Sequence, residues 1–166
     1  MMTPVRLDLP SGTVTFLFTD VEGSTKLLHE LGAEAYADAL AVHRRAIRRA
    51  CARHDGVEVD TQGDAFFFAF PTAPAALAAA GGLTAALASG PIHVRVGLHT
   101  GAPLLTEEGY VGPDVHRAAR IAAAGHGGQV LVSNATRTLL EDDQPADILL
   151  RDLGEHVLKD LSLIHI

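Results

Sequence analysis

The chain of 166 residues carries 13 Lys and Arg against 20 Asp and Glu, a formal net charge of −7, with 48% hydrophobic and 20% charged residues. That length is one domain's worth of chain, and the apolar content excludes an intrinsically disordered segment. The acidic excess repels nucleic-acid backbones and anionic bilayers, so neither nucleic acid nor membrane is expected as a partner. The single cysteine, Cys51, excludes an internal disulfide and a Cys-rich zinc site, and it fits the reducing cytoplasm. Residues 1–10 hold one Arg and no apolar run of signal-peptide length. The most membrane-like stretch, residues 73–88, is broken by Pro74, Gly81, Gly82 and Thr84 and is shorter than the ~20 apolar residues of a bilayer span.

Residues 13–19, Thr-Val-Thr-Phe-Leu-Phe-Thr, are β-branched and aromatic and predict a central strand. After it, Gly23-Ser24-Thr25 leads into a helix. Tyr36, Leu40, Ile47 and Cys51 space an apolar stripe along a long helix over 33–54, with the Arg run at 44–53 on its solvated face. Asp55-Gly56 ends it. Residues 57–61 and 65–70 read as a hairpin with Asp64 at its tip. An Ala-rich helix over 72–88, a strand over 93–99, a loop, a helix opened by Pro113 and closed by residues 125–128, a strand over 129–133 and a short helix over 134–140 follow. Two short strand candidates flank Gly154. The order is that of an α/β (α+β) domain, a mixed sheet with helices packed on it.

Three places could carry chemistry. Where the first strand hands over to Gly23-Ser24-Thr25, the new helix N-terminus offers free N–H groups to an anion such as phosphate. A plain helix cap by Asp20 or Ser24 is the alternative there. With the hairpin beside the first strand, Asp20 and Asp64 would converge, and two adjacent carboxylates are costly unless a cation neutralises them. An oxygen-only donor set favours Mg²⁺ or Mn²⁺ over zinc. His116 and Arg120 stand one turn apart on the Pro113 helix, where a guanidinium suits charge on a phosphoryl group; a solvated Arg is the bland alternative. The nine His show no HExxH or comparable ligand spacing and read as core or surface residues, and Cys51 reads as a small core residue.

The segments Phe-Thr-Asp-Val-Glu-Gly-Ser-Thr at 18–25, Thr-Gln-Gly-Asp-Ala-Phe-Phe at 61–67, Gly-Leu-His-Thr-Gly at 97–101 and Gly-Tyr-Val-Gly-Pro-Asp-Val-His-Arg-Ala-Ala-Arg at 109–120 resemble the class III nucleotide cyclase catalytic domain, of the actinobacterial adenylate/guanylate type. The resemblance covers residues 12–162, leaving 1–11 and 163–166 as short tails. It implies a ferredoxin-like fold and a head-to-tail homodimer with active sites at the interface. It also implies attack of a ribose 3′-oxygen on the α-phosphorus of ATP or GTP, giving a 3′,5′-cyclic nucleotide and pyrophosphate with two Mg²⁺ or Mn²⁺ ions. Asp20 and Asp64 match the metal aspartates, with the Val21 carbonyl as an added ligand, and Gly23, Ser24 and Thr25 match the phosphate loop. From the partner copy, Arg120 matches the transition-state arginine, and His116 stands where many members carry an Asn that orients the ribose.

Four positions depart from the family pattern. The adenine-reading Lys and Asp are replaced by Asp60 and Gly109. Asp60 only accepts hydrogen bonds, which suits the donors of guanine, whereas the family as a whole points to ATP in bacteria. Val157 occupies the place of a triphosphate-binding cation, and Lys159, two residues on, would face the same side of a strand. With His116, these departures keep a second reading open: a weak or inactive cyclase-homology module that dimerises or regulates.

Overall fold

A computed structural model describes residues 8–141, 143, 145, 148–158 and 163–165 of the chain. In chain order its elements are β1 (Val14–Val21), α1 (Ser24–Leu31), α2 (Ala33–Arg53), β2 (Val57–Gln62), β3 (Ala65–Phe70), α3 (Ala73–Leu87), β4 (Val94–Gly101), β5 (Leu104–Thr106), β6 (Gly109–Val111), α4 (Pro113–Ala123), β7 (Val130–Val132), α5 (Asn134–Thr138), β8 (Glu155–Val157) and β9 (Leu163–His165).

The expected α/β architecture is present. Five strands form one mixed sheet in the order β2-β3-β1-β4-β7, with β1 at its centre. β1 pairs antiparallel with both β3 and β4, and β7 runs parallel to β4. Because side chains alternate along a strand, β1 serves two cores. Leu17 and Val21 pack into the larger one with Ile47 and Cys51 of α2 and the Ala and Leu side chains of α3. Val14 and Phe16 face the other way, toward Ala118 and Val115 of α4. The small residues of α3 let α2 lie close, with Gly82 against Ala50. Thr72 caps α3, its hydroxyl accepting from Ala75 N–H at 3.3 Å, and Pro74 sits in the first turn.

Two stretches differ from expectation. The segment before α4 is not a plain loop but holds the short β5–β6 hairpin. Of the strand candidates flanking Gly154, only the one after it forms: β8 pairs with β9 in a separate two-stranded sheet, and residues 151–154 are not strand. Among the described residues no helix is long and apolar enough to cross a membrane.

Candidate active site

β1 ends at Val21, and Gly23, in the left-handed conformation at φ 64°, turns the chain into α1. No side chain caps this N-terminus, so the helix-cap alternative for Asp20 or Ser24 is not what forms. The first-turn N–H groups at Ser24 and Thr25 lie beyond the reach of intrahelical acceptors, the arrangement that receives anions.

β3 pairs with β1 through Phe18↔Phe67 and Thr19↔Phe66. One further step in that register sets Ala65 beside Asp20, so Asp64, in the turn with Gly63, stands at the same end of the sheet as Asp20. Gly63 makes the turn at φ 60°, and Arg44 of α2 donates from Nη2 to its carbonyl at 2.9 Å, fixing the turn that carries Asp64.

Asp20 is not a lone carboxylate. Arg95 lies directly across from it on β4 and donates from Nε to Oδ1 at 2.7 Å and from Nη2 to Oδ2 at 2.6 Å. Hydrogen bonding to Asp20 holds this guanidinium above the usual arginine range against the opposing effect of burial, and Glu22 and Asp64 add to it. Both candidate metal aspartates therefore act on one cation. The donor set of Asp20, Asp64 and the Val21 carbonyl is all oxygen and fits a hard divalent ion. Among the described residues no group of three or more His, Cys, Asp or Glu gathers to hold a metal, so further ligands would come from water and phosphate.

A cleft of about 360 Å³ opens on the α4 face of the sheet, lined by Phe18, Asp60, Gln62, Phe67, Val115 and His116 among others. Asp60 is fixed within it: Oδ1 accepts from the Thr61 N–H at 2.8 Å and Oδ2 from Gln62 Nε2 at 3.0 Å. His116 is exposed, and Arg120, one turn further along α4, is half-buried. Gly109 sits on the β5–β6 hairpin at φ 113° and does not line this cleft. Lys159 lies outside the described residues, and of Val157 only the backbone, in β8, is described.

The position of α4 is set by residues that lie within the quoted motifs but were given no role there. A Cβ on Gly97 would meet the Ala118 carbonyl at 2.3 Å, so the helix rests directly on the β4 backbone, and one on Gly101 would run into the Asp114 carboxylate. His99, 3% exposed, joins Asp114 in the first turn of α4 to Ser133 at the start of α5. Arg117 donates to Asp114 at 3.2 Å, and hydroxyl contacts continue from Ser133 through Thr136 and Thr100 to Thr15.

The model for the adenylate and guanylate cyclase catalytic domain matches residues 8–160. An uncharacterised protein of Mycobacterium tuberculosis is 43% identical over 154 residues, 92% of this chain and 53% of that protein, so the chain spans about half the length of this relative. Among solved structures, an adenylate cyclase of Trypanosoma brucei in its monomeric state superposes with a TM-score of 0.85 at 27% identity, over 98% of this chain and 91% of that one. The guanylate cyclase domain of a Catenaria anguillulae protein, solved with GTP, has the same fold, with a TM-score of 0.78 at 18% identity over 93% of each chain. The chain belongs to the adenylate and guanylate cyclase catalytic domain family.

Proposed function

We propose that the chain is a metal-dependent nucleotide cyclase that converts a nucleoside triphosphate to its 3′,5′-cyclic nucleotide and pyrophosphate in the cytoplasm. The observation that supports this reading is that Asp20 and Asp64 stand at the same end of the sheet, where β1 hands over to the Gly23-led helix N-terminus. Asp20, Asp64 and the Val21 carbonyl would hold Mg²⁺ or Mn²⁺, two ions per site, and Gly23, Ser24 and Thr25 the phosphates. A bound cation supplies neutralisation of the triphosphate and acidification of the ribose hydroxyl. The 3′-oxygen would bond to the α-phosphorus as its proton passes to solvent, and the bond to the bridging oxygen would break with its electron pair leaving on pyrophosphate. Asp60, an acceptor at both oxygens, favours the N1–H and N2–H₂ donors of guanine. His116 at the mouth of the same cleft suits the ribose, and Arg120 suits the charge developing on phosphorus. In a head-to-tail homodimer these three residues of one copy face Asp20 and Asp64 of the other.

The test is incubation of the purified chain with Mn²⁺ or Mg²⁺ and either ATP or GTP, with Asp64→Ala as control. Cyclic product, greater from GTP than from ATP and lost in the variant, is the expected result. Absence of product at protein concentrations that populate the dimer would instead assign the chain to a regulatory cyclase-homology module.

A further inference from the structure

β2 is an edge strand of the five-stranded sheet, and from Glu58↔Phe68 to Asp60↔Phe67 it advances two residues against one of β3, a β-bulge. An edge strand with a bulge is the least constrained part of a sheet, and a slip of one residue would carry its side chains to the opposite face. Yet this strand and its turn carry Asp60 in the cleft and Asp64 at the end of the sheet it shares with Asp20. α2 reaches the hairpin with two arginines one turn apart. Arg48 donates from Nε to Glu58 Oε1 at 2.8 Å and from Nη2 to Oε2 at 3.2 Å, and its guanidinium lies 5.2 Å from the centre of the Phe66 ring. Glu58 Oε2 also accepts from the Thr61 hydroxyl at 2.7 Å. Residues three apart in a regular strand point to opposite faces, so the bulge is what lets Glu58 and Thr61 meet. It leaves Asp60 and Gln62 together on the α4 side. Arg44 is half-buried with its Nε shielded from solvent, and it donates from Nη2 to the Gly63 carbonyl at 2.9 Å.

We propose that Arg44 and Arg48 are positioning residues for the β2–β3 hairpin. Arg48, through Glu58 and Thr61, locks the bulge that aims Asp60 into the cleft, and Arg44 locks the turn that presents Asp64. This rests on the metal site and the base reading proposed above. Neither arginine lines the cleft itself. A guanidinium fork fixes both distance and plane, which a point charge does not. Half-exposed ion pairs of this kind add little to stability. Their effect falls on geometry instead, where a displacement of about 1 Å is enough to cost binding and turnover. Arg45, Arg49 and Arg53 border a groove with α3, so the clamp belongs to one face of α2.

The experiment compares the wild-type chain with Arg44→Met, Arg44→Lys, Arg48→Met and Thr61→Val at protein concentrations that populate the dimer. Mn²⁺ binding is followed by electron paramagnetic resonance, and binding of α,β-methylene analogues of GTP and ATP in saturating Mg²⁺ by calorimetry. Circular dichroism and thermal unfolding check the fold of each variant. Arg44→Met is expected to bind Mn²⁺ about tenfold more weakly, the size of one lost hydrogen bond, with the GTP-to-ATP preference unchanged. Arg44→Lys, which keeps a donor for the Gly63 carbonyl, is expected to recover most of that loss. Arg48→Met and Thr61→Val are each expected to cut the GTP-to-ATP preference about tenfold and to leave Mn²⁺ affinity unchanged. A general loss of stability would move both readouts together, so the crossed pattern belongs to positioning alone. Wild-type values in every variant overturn the proposal while leaving the metal site and the base reading intact. An Arg44→Met chain that binds Mn²⁺ more tightly also overturns it, because Arg44 would then only oppose the ion by its charge. Both readouts falling in step with the unfolding midpoint reduce the clamp to stability and overturn it too. A wild type that binds both analogues equally overturns the base reading and the Arg48 half of the clamp. A wild type that binds neither Mn²⁺ nor analogue overturns the proposed function and the clamp together.

Discussion

His99 Nε2 lies 2.8 Å from Asp114 Oδ1, tying the central part of the sheet to the first turn of the helix that bears His116 and Arg120. The carboxylate can only accept, so Nε2 carries the proton and Nδ1 accepts from the Ser133 hydroxyl at 2.7 Å. One neutral imidazole thus joins β4, α4 and the start of α5. Replacing it by Ala removes one hydrogen bond from a partly buried carboxylate, which keeps Arg117, and the shortest one from a buried hydroxyl, which keeps only its longer contacts with Thr136. His99→Ala is expected to lower stability by about 1–3 kcal/mol in urea unfolding, the cost of two lost hydrogen bonds, one of them to a charged group. It should also reduce cyclase turnover, because α4 loses its tether.

Acidification should weaken the fold through the same residue. Burial is the first cause that holds both His99 and His43 below the usual histidine value of 6.5, with Asp114 acting in the opposite direction on His99. In the unfolded chain both imidazoles take up protons near the ordinary value, and in the folded chain only at lower pH. The denatured state therefore binds more protons just below pH 6.5, and stability present above that value is lost as pH falls toward the folded pKa values. Urea midpoints measured from about pH 7.5 to about pH 5.5 should decline over the lower part of that range, and His99→Ala should flatten the decline.

Gly97→Ala should be among the most damaging small substitutions. Its Cβ would stand 2.3 Å from the Ala118 carbonyl and 2.5 Å from the Ala122 nitrogen, both main-chain atoms that cannot rotate away. The helix must lift off the sheet, and overpacking of this kind costs about 1–3 kcal/mol or more. Thermal unfolding reads the loss, and activity should fall more steeply than stability because His116 and Arg120 move with the helix.

Cys51 should be inert in the folded chain. It is fully buried on the inner face of α2, and burial first, then the nearby Glu58 charge, push its thiol up to about 12. A thiol-specific disulfide reagent at about pH 8 should leave the native protein unmodified and react with one equivalent in urea. Rapid reaction of the native protein would contradict this burial.

Patterns within single segments carried most of the fold, and pairs of segments carried what was hidden. The Thr-Val-Thr-Phe-Leu-Phe-Thr run reads as a strand from its own residues, and the place of Asp64 in a turn follows from the chemistry around Gly63. That Asp20 and Asp64 share one end of the sheet was legible only on the condition that the hairpin lies beside the first strand, which the β1–β3 pairing meets. Arg95, by contrast, looks like any charged residue alternating along a strand, and its importance exists only once the β1–β4 register sets it opposite Asp20. His99 needed partners from positions 114 and 133, which periodicity cannot bring together. The β5–β6 strands span three residues each and include Gly109, too short and too irregular to show alternation. Gly97 was legible only as part of a motif, since the close approach it permits belongs to the packed helix.

The sheet order also has a bearing on how the chain is made. β1 leaves the ribosome before either of its partners, since Thr15 pairs with Phe70 and Phe16 with His99, so neither flank of this apolar ribbon can be covered until β3 and then β4 have been synthesised. Closure over such separations is slow and leaves an uncovered edge rich in Phe and Val open to other nascent chains. Truncated or stalled products ending before β4 should accordingly be chaperone clients, accumulating in the insoluble fraction where the completed domain remains dispersed.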